Sequence, residues 1–229
     1  MSYLIVVAHP DDEVLGAGAT IYKLTQEGKK VTVCILCEKA AARKFRPDDL
    51  ELVKDTESSM EILGVKKVFR GNFPNIKFNT VPHLELVQFI ENAIIESGAT
   101  VVFTHHPSDL NNDHMHTSLA CQAAVRLFQR RMDVKPLEEL LYMEVPSATE
   151  WGLNDAMNKF QPNTFFEVGK EAIEKKIEAL SHYRGVMRDY PHPRSREVLV
   201  GLAAYRGGQS GCCYAEGFEC ALRRITTYV

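Results

Sequence analysis

The sequence predicts an α/β fold of the Rossmann-like, doubly wound type, with a mostly parallel sheet and helices on both faces. Two observations support this prediction. Short apolar runs alternate with amphipathic segments through the first half of the chain, and the first three amphipathic segments each end in glycine. The 229 residues are enough for one sizeable core. Because no repeat or linker divides them, we expect a single domain over residues 1–229.

The first half of the chain carries four apolar runs with the length of buried strands. Amphipathic segments of helical period separate them, and such crossovers favour parallel pairing of successive strands. We predict strands over 3–8, 30–36, 66–71 and 99–105, and helices over 13–28, 48–64, 81–98 and 114–131.

The last third of the chain is less regular, although its periodicity still suggests discrete elements. A rigid polar turn, "PHPRS" at 191–195, interrupts it. We predict strands over 138–146 and 164–169, an amphipathic helix over 170–187, and two further helices over 195–206 and 214–225.

Composition argues against several classes of partner. The net charge of −3 and the pI near 6.3 indicate neither a nucleic-acid-binding surface nor a membrane-binding one. No apolar run approaches the roughly 20 residues of a membrane span, and the N-terminal run is too short for a signal peptide. We therefore expect no nucleic acid and no membrane span. Composition leaves homo-oligomerisation open.

The cysteines favour a reducing compartment. Cys34 and Cys37 have the C-x-x-C spacing, but they belong to the apolar, β-rich run "KKVTVCILC", and on a strand positions three apart face opposite sides of the sheet. We therefore interpret them as buried thiols, and we expect the protein in the cytoplasm.

A cluster of charged residues follows the first predicted strand. The stretch "AHPDDE" places His9, Asp11, Asp12 and Glu13 where ligands bind in open α/β sheets, beyond the carboxyl ends of the strands. Like charges this close repel, and removing water from them is costly. A bound cation would offset that cost. Imidazole nitrogen with carboxylate oxygen suits zinc or another first-row divalent metal. Glu13, in the first helical turn, is interpreted as structural.

A second polar cluster, "THHPSDLNNDHMHT" at 104–117, follows the fourth predicted strand. Both clusters lie at the same edge of a parallel sheet, so we expect them to meet. His114 and His116 point about 200° apart on a helix, so only one of them faces the site. His105 and His106 alternate across a strand end, so again only one points inward.

These motifs resemble a known family. "AHPDDE" after strand one and "DLNNDH" after strand four are similar to the zinc-dependent PIG-L/LmbE-like deacetylases, which act on N-acetylglucosamine-type groups. Three later stretches extend the resemblance over most of the chain and resemble a subgroup linked to glycan-precursor deacetylation. They are "VPSATEW" (145–151), "PHPRS" (191–195) and "YAEGFE" (214–219).

The resemblance implies roles for five residues. His9, Asp12 and His114 would bind the metal, and Asp11 would be the general base. Asp113 would support a neighbouring histidine in the catalytic machinery. Zinc lowers the pKa of its bound water to near neutrality. Asp11 would take the water's proton and return it to the departing amine as acetate leaves.

One position departs from the family pattern. Many members have H-P-D-H in the second motif, whose first histidine helps to stabilise the oxyanion, and this chain has Asn111 in that place. Asparagine donates a hydrogen bond but carries no positive charge. Either Asn111 performs a weaker form of this role or another group does, with His192 of the "PHPRS" turn as the candidate.

The substrate-binding side is less defined. Arg43 resembles a subgroup arginine and would hold a phosphate or carboxylate, with a solvated loop as the equal alternative. Asn75 stands where relatives often have an aspartate that contacts sugar hydroxyls. His192 is also a candidate on this side. Arg194 and Glu216 either line the site or cap helices.

The alternative function is a metal-dependent phosphoesterase acting on a small phosphorylated metabolite. Two-metal phosphoesterases hold two ions about 4 Å apart and therefore need more carboxylates than a one-metal site does. The two clusters supply ligands for one ion. A non-catalytic binding module would leave the grouped acids unexplained.

Overall fold

A computed structural model describes residues 1–39, 48–153 and 158–225 and contains one seven-stranded sheet. The strand order is β3-β2-β1-β4-β5-β7-β6. The strands are β1 (Ser2–Val7), β2 (Lys30–Ile35), β3 (Lys67–Arg70), β4 (Val101–His105), β5 (Glu139–Met143), β6 (Thr164–Glu167) and β7 (Ala215–Arg223).

The first five strands are parallel, and β1 lies between β2 and β4. The chain thus runs outward from β1 to β3 and then returns to the other side of β1. The loops that follow β1 and β4 are therefore neighbours at the carboxyl edge of the sheet, where the direction of winding reverses. Ligands bind at such a switch point in open α/β sheets.

Helices cover both faces of the sheet, which confirms the predicted fold class. Residues Tyr3, Ile5 and Val7 of β1 face one helical layer, and Leu4 and Val6 face the other, because strand side chains alternate. The first layer contains α1 (Asp12–Gln26), α2 (Asp49–Leu63), α5 (Gly169–His182) and α6 (Arg196–Ser210), and the second contains α3 (His83–Ser97) and α4 (Asn112–Ala124). No helix within the described ranges is long and apolar enough to cross a membrane.

The predicted helix over 214–225 is wrong, because these residues form β7. This strand is antiparallel to β5 on one side and to β6 on the other, so its backbone groups are paired across the sheet. The sequence does not alternate strictly between apolar and polar residues, because Ala221 separates Cys220 from Leu222, so the period of two that indicates a strand is incomplete. Tertiary pairing here overrides local helix propensity. The predicted helix over 114–131 is also shorter: α4 ends at Ala124 and a 3₁₀ turn, Val125–Gln129, follows.

Helix α1 is kinked one turn after its start, and a buried ion pair bridges the kink. Ala17 has non-helical backbone angles (φ −147°, ψ 15°). The Lys176 ammonium donates to the Leu15 carbonyl (2.7 Å) before the kink, and the Glu216 carboxylate accepts from the Thr20 N–H (2.7 Å) after it. Lys176 and Glu216 also pair with each other at 2.6 Å. Glu216 therefore caps a helix, which decides between the two alternatives that the sequence left open.

We expect Glu216→Leu to lower the free energy of unfolding by about 3–5 kcal/mol, the usual cost of removing one partner of a buried pair. Lys176 and Glu216 are each only 6% exposed, so the ammonium would be left without its counter-charge. Denaturant unfolding measures the change. The matched control is Glu174→Leu, which breaks an exposed pair with Arg196 and should cost less than about 1 kcal/mol.

The double variant Lys176→Met/Glu216→Leu should recover part of the loss, because it removes both buried charges together. Equal, small losses for Glu216→Leu and Glu174→Leu would show that the pair contributes little to the stability of α1.

Candidate active site

The two polar clusters meet at the carboxyl edge of β1 and β4. His9 and Asp12 come from the loop and helix start after β1, and His114 comes from the first turn of α4, after β4. All three side chains are buried, at 7%, 2% and 2% exposure. Buried polar groups of this kind need partners, and here they face one another.

These three residues have the spacing of metal ligands. The Asp12 Oδ2 atom lies 3.4 Å from His9 Nδ1 and 3.2 Å from His114 Nε2. One donor atom from each residue lies within 4.8 Å of the others. Two nitrogen or oxygen ligands of a tetrahedral zinc, each about 2.0–2.2 Å from the metal, are separated by roughly 3.3–3.5 Å. The residues present therefore fit one divalent cation.

The charges around this trio also favour a cation. Burial would raise the pKa of Asp12, but the neighbouring His114 and His9 rings hold it well below its ordinary value. Burial would lower the pKa of His114, but the Asp12 and Asp109 carboxylates outweigh it and raise that pKa to about 10. The carboxylates thus stabilise a positive charge at the centre of the trio. A divalent cation bound there would replace the proton of His114.

Asp113 orients the first histidine. Its Oδ2 atom lies 3.0 Å from His9 Nε2, on the side of the ring away from Asp12. Asp113 also accepts hydrogen bonds from the backbone N–H groups of Ile76 (2.6 Å) and Phe78 (3.0 Å). A carboxylate on the far nitrogen fixes the tautomer and orientation of a metal-binding imidazole. Asp113 is thus the acid that contacts the far nitrogen of His9.

Asp109 occupies the equivalent position behind the second histidine, and the sequence analysis did not single it out. Its Oδ2 atom lies 3.1 Å from His114 Nδ1 and accepts from the Thr149 hydroxyl at 2.7 Å. Its Oδ1 atom accepts from the Asn111 N–H at 2.8 Å. Asp109 precedes His114 by five residues and lies outside α4, so no helical period connects them. The only hint of Asp109 in the sequence is that it is an acid within the second polar cluster.

His105 is the member of the His105–His106 pair that points into the site. Its ring stacks on that of His114 with centroids 3.9 Å apart, and its Nε2 atom accepts from the Ala8 N–H at 2.9 Å. Burial lowers the pKa of His105 to about 3, so the ring is neutral and its proton is on Nδ1. His105, Asp109 and His114 form a second trio whose donor atoms lie within ligand distance. This trio suits a metal poorly, because one nitrogen of His105 accepts from the Ala8 N–H and the other carries the proton.

His106 and His116 lie away from the trio. The Nδ1 atom of His106 is 2.7 Å from the Ser108 hydroxyl, and its ring packs edge-on against Tyr142 and Phe160. His116 is half-buried on α4, two residues beyond His114. Two residues apart on a helix, His114 and His116 point about 200° from each other.

Asp11, which precedes Asp12 in the chain, has an unusual backbone conformation. It has φ 101° at the residue before α1 and is only 2% exposed. A non-glycine residue at positive φ is costly and persists only where its surroundings enforce it. Here the Asp11 N–H donates to Glu13 Oε2 at 3.1 Å, and Glu13 in turn accepts from the Tyr183 hydroxyl at 2.5 Å. Burial raises the pKa of Glu13 to about 8.

The "PHPRS" turn reaches the site through Arg194. The guanidinium Nη1 atom lies 3.4 Å from Asp11 Oδ2, and Nε donates to the Ser147 hydroxyl at 2.8 Å. His192 lies in the same turn, where its Nδ1 atom accepts from the Arg194 N–H at 3.0 Å. Burial and the nearby Arg194 and Arg188 lower the pKa of His192.

Two further predicted residues flank the site. Asn111 caps α4, because its side-chain oxygen accepts from the Asp113 N–H at 2.9 Å. Asn75 is half-buried, donates to the Lys39 carbonyl at 3.0 Å and precedes Ile76, whose N–H contacts Asp113. Arg43, the predicted anion-binding residue, lies outside the described residues.

Comparison with known proteins identifies relatives that match most of the chain. The chain is 25% identical over 189 residues to a protein of Escherichia coli (strain K12) called uncharacterized deacetylase YaiS, covering 79% of this chain and 89% of that relative. It is 24% identical over 227 residues to the diacetylchitobiose deacetylase of Thermococcus kodakarensis, covering 94% and 81%. The solved structure of the conserved protein TT1542 from Thermus thermophilus has a TM-score of 0.79 at 25% identity, covering 99% and 98%.

A family model also matches the half of the chain that carries both polar clusters. It describes PIG-L, the GlcNAc-PI de-N-acetylase, and matches residues 4–125, from β1 through α4. The matched region contains the metal-ligand trio and the two acids behind its histidines. The chain therefore belongs to the PIG-L family of de-N-acetylases.

Proposed function

We propose that the chain hydrolyses the acetamide of an N-acetylated amino sugar or sugar conjugate, releasing acetate and the free amine. The observation that supports this most directly is the buried trio of His9, Asp12 and His114, with the buried Asp11 next to Asp12 in the chain. The family is one of de-N-acetylases, and the relative in Thermococcus kodakarensis is a deacetylase of diacetylchitobiose. The amino-sugar substrate rests on that likeness.

His9, Asp12 and His114 would hold the metal, and we propose zinc as the resident ion. Two imidazole nitrogens and one carboxylate oxygen make a common catalytic zinc set, which leaves a fourth position open. Bound there, the ion would lower the pKa of a water and polarise the amide carbonyl. Asp113 and Asp109 would keep the two imidazoles in the ligating orientation through their far nitrogens.

Asp11 would move the protons. Asp11 is adjacent in sequence to Asp12, and the bond from its N–H to Glu13 holds its backbone at positive φ. It would accept the proton of the attacking water and then donate it to the amine nitrogen as the C–N bond breaks. Arg194, 3.4 Å from Asp11, would favour the carboxylate form that the first step requires.

The remaining predicted residues would act on the substrate. Asn111 would donate its side-chain N–H to the developing oxyanion while its oxygen caps α4. His192, whose pKa is lowered, would act as a neutral hydrogen-bonding group on the substrate side, with Arg194 beside it. Asn75 would contact sugar hydroxyls from the loop after β3. Arg43 stays a proposed anion-binding residue on the sequence alone.

The site supports the phosphoesterase alternative poorly. The two trios of potential ligands in the described part of the chain both include His114, so they cannot bind two ions independently. A pair of ions about 4 Å apart, as two-metal phosphoesterases require, would need separate ligand sets.

We also propose a cytoplasmic location and a single domain. All six cysteines are free and three of them are buried, which suits a reducing compartment. The seven strands form one sheet whose last strand lies between two others, so the two halves of the chain share it.

Acetate release from N-acetylglucosamine, its glycosides and nucleotide-linked N-acetylhexosamines tests the proposed function. We expect acetate and free amine in equal amounts, with activity lost on chelation and restored by zinc. Phosphate release in place of acetate would favour the alternative function.

We expect His114→Ala to empty the metal site, because it removes one of three ligands, and His116→Ala to leave it filled. Metal analysis of the purified proteins measures this directly. His116 is the matched control, two residues away on the same helix and half-buried. Loss of metal from His116→Ala with retention by His114→Ala would contradict the ligand assignment.

We expect Asp11→Asn to keep the metal and lower kcat by about 100-fold or more, the usual scale of general acid–base catalysis. The amide matches the carboxylate in shape and tolerates positive φ, but it cannot accept the proton. Metal content and kcat are measured on the same preparation. Full activity with full metal content would remove Asp11 from the mechanism.

We expect Asn111→Asp to lower kcat by about tenfold to a hundredfold without destabilising α4. Aspartate keeps the capping oxygen but loses the N–H donor. Asn111→Ser, which keeps both a capping oxygen and a donor, is the companion variant and should retain more activity. If both variants are fully active while His192→Ala loses about a thousandfold, the oxyanion donor is His192.

A further inference from the structure

An apolar cavity lies beside the candidate active site, between the segment that follows β5 and helix α6. Its volume is about 410 Å³, within the range of roughly 300–1,000 Å³ that is typical of small-molecule sites. The apolar part of its lining is formed by Pro146, Phe160, Pro193, Val198 and Leu202.

The cavity adjoins the groups assigned to catalysis. Thr149 lines it, and the Thr149 hydroxyl donates to Asp109, the acid behind His114. Pro193 also lines it, and the next residue, Arg194, reaches Asp11. A substrate whose acetamide lies at Asp11 would therefore have this cavity next to the rest of its structure.

The charged groups of the cavity balance one another. Arg206 and Glu144 line it and form two hydrogen bonds with each other, at 2.8 and 2.7 Å. The exposed Lys159 and Glu150 also line it with opposite charges. Because Arg206 already has a carboxylate partner, the cavity offers little to an anionic ligand. Its chemistry suits an uncharged apolar group.

The acyl group does not account for the cavity. Acetate has two carbons, far fewer than a cavity of about 410 Å³ can hold. The space is therefore available to the part of the substrate that leaves with the amine. A second sugar ring would need free hydrogen-bond partners for its hydroxyls. Most of the polar lining is already engaged, because Arg206 pairs with Glu144, Thr149 donates to Asp109, and Glu150 accepts from the N–H groups of Ser147 and Ala148.

We propose that this cavity binds an apolar aglycone, an aryl or alkyl group joined to the N-acetylated sugar. The proposal rests on the proposed function and specifies the substrate class of the same site. It assigns a specificity role to Val198 and Leu202, which lie on α6 and line the cavity.

The test compares the phenyl and methyl glycosides of N-acetylglucosamine, with N,N′-diacetylchitobiose as a third substrate. For the unmodified chain we expect KM for the phenyl glycoside to be about tenfold below that of the methyl glycoside, since burial of apolar surface favours binding. Leu202→Gln should remove this difference by raising KM for the phenyl glycoside alone, and Val198→Thr should reduce it.

Leu119→Gln is the matched control, because Leu119 is an exposed leucine of α4 that does not line the cavity. It should leave both KM values unchanged. Thermal unfolding of each variant checks that it is folded, and Val198→Thr, which nearly keeps the shape of valine, serves if Leu202→Gln is unfolded.

Equal KM values for the phenyl and methyl glycosides in the unmodified chain would overturn the proposal. So would equal effects of Leu202→Gln on both glycosides. A lower KM for diacetylchitobiose than for the phenyl glycoside, unaffected by Leu202→Gln, would make the cavity a sugar subsite instead. If no substrate releases acetate, the proposed function fails, and calorimetric binding of the two glycosides to the unmodified chain and to Leu202→Gln still decides whether the cavity selects the phenyl group.

Discussion

The buried negative charge of Asp12 is the constraint on which the site depends. A carboxylate removed from water costs several kcal/mol unless it is paired and hydrogen-bonded. Asp12 meets this requirement through the His9 N–H, 2.9 Å away, and through the rings of His9 and His114. The charge that would recruit a cation is the same charge that orders the two loops around it.

Further residues are held in place by contacts on the outer nitrogen of each histidine ring. Asp113 and Asp109 face the second nitrogens of His9 and His114, and each acid is held by backbone N–H groups of neighbouring loop residues. Through these bonds, and through the Thr149 hydroxyl on Asp109, the loops after β1, β3, β4 and β5 are joined into one hydrogen-bonded network at the edge of the sheet. The positions of the candidate ligands are therefore set by residues that would never contact the ion.

Whether a feature could be predicted from the sequence depended on how far apart in the chain its interacting residues lie. The meeting of the two clusters followed from parallel strands, whose carboxyl ends share an edge, and the family resemblance selected His9, Asp12 and His114. Asp109 was harder, because its position depends on Thr149, 40 residues away, and on no local period. Strand β7 was missed for a similar reason: its partners β5 and β6 lie far earlier in the chain, and only tertiary pairing distinguishes it from a helix.

The kink in α1 links the beginning of the chain to its end. The loop of residues 9–13 precedes the kink by about one helical turn, yet the broken helix is completed by Lys176 from α5 and Glu216 from β7. Lys176 and Glu216 lie 161 and 196 residues from their partners Leu15 and Thr20, so local interactions cannot complete this break. The backbone that follows residues 9–13 is therefore completed only in the assembled sheet, where β7 lies between β5 and β6.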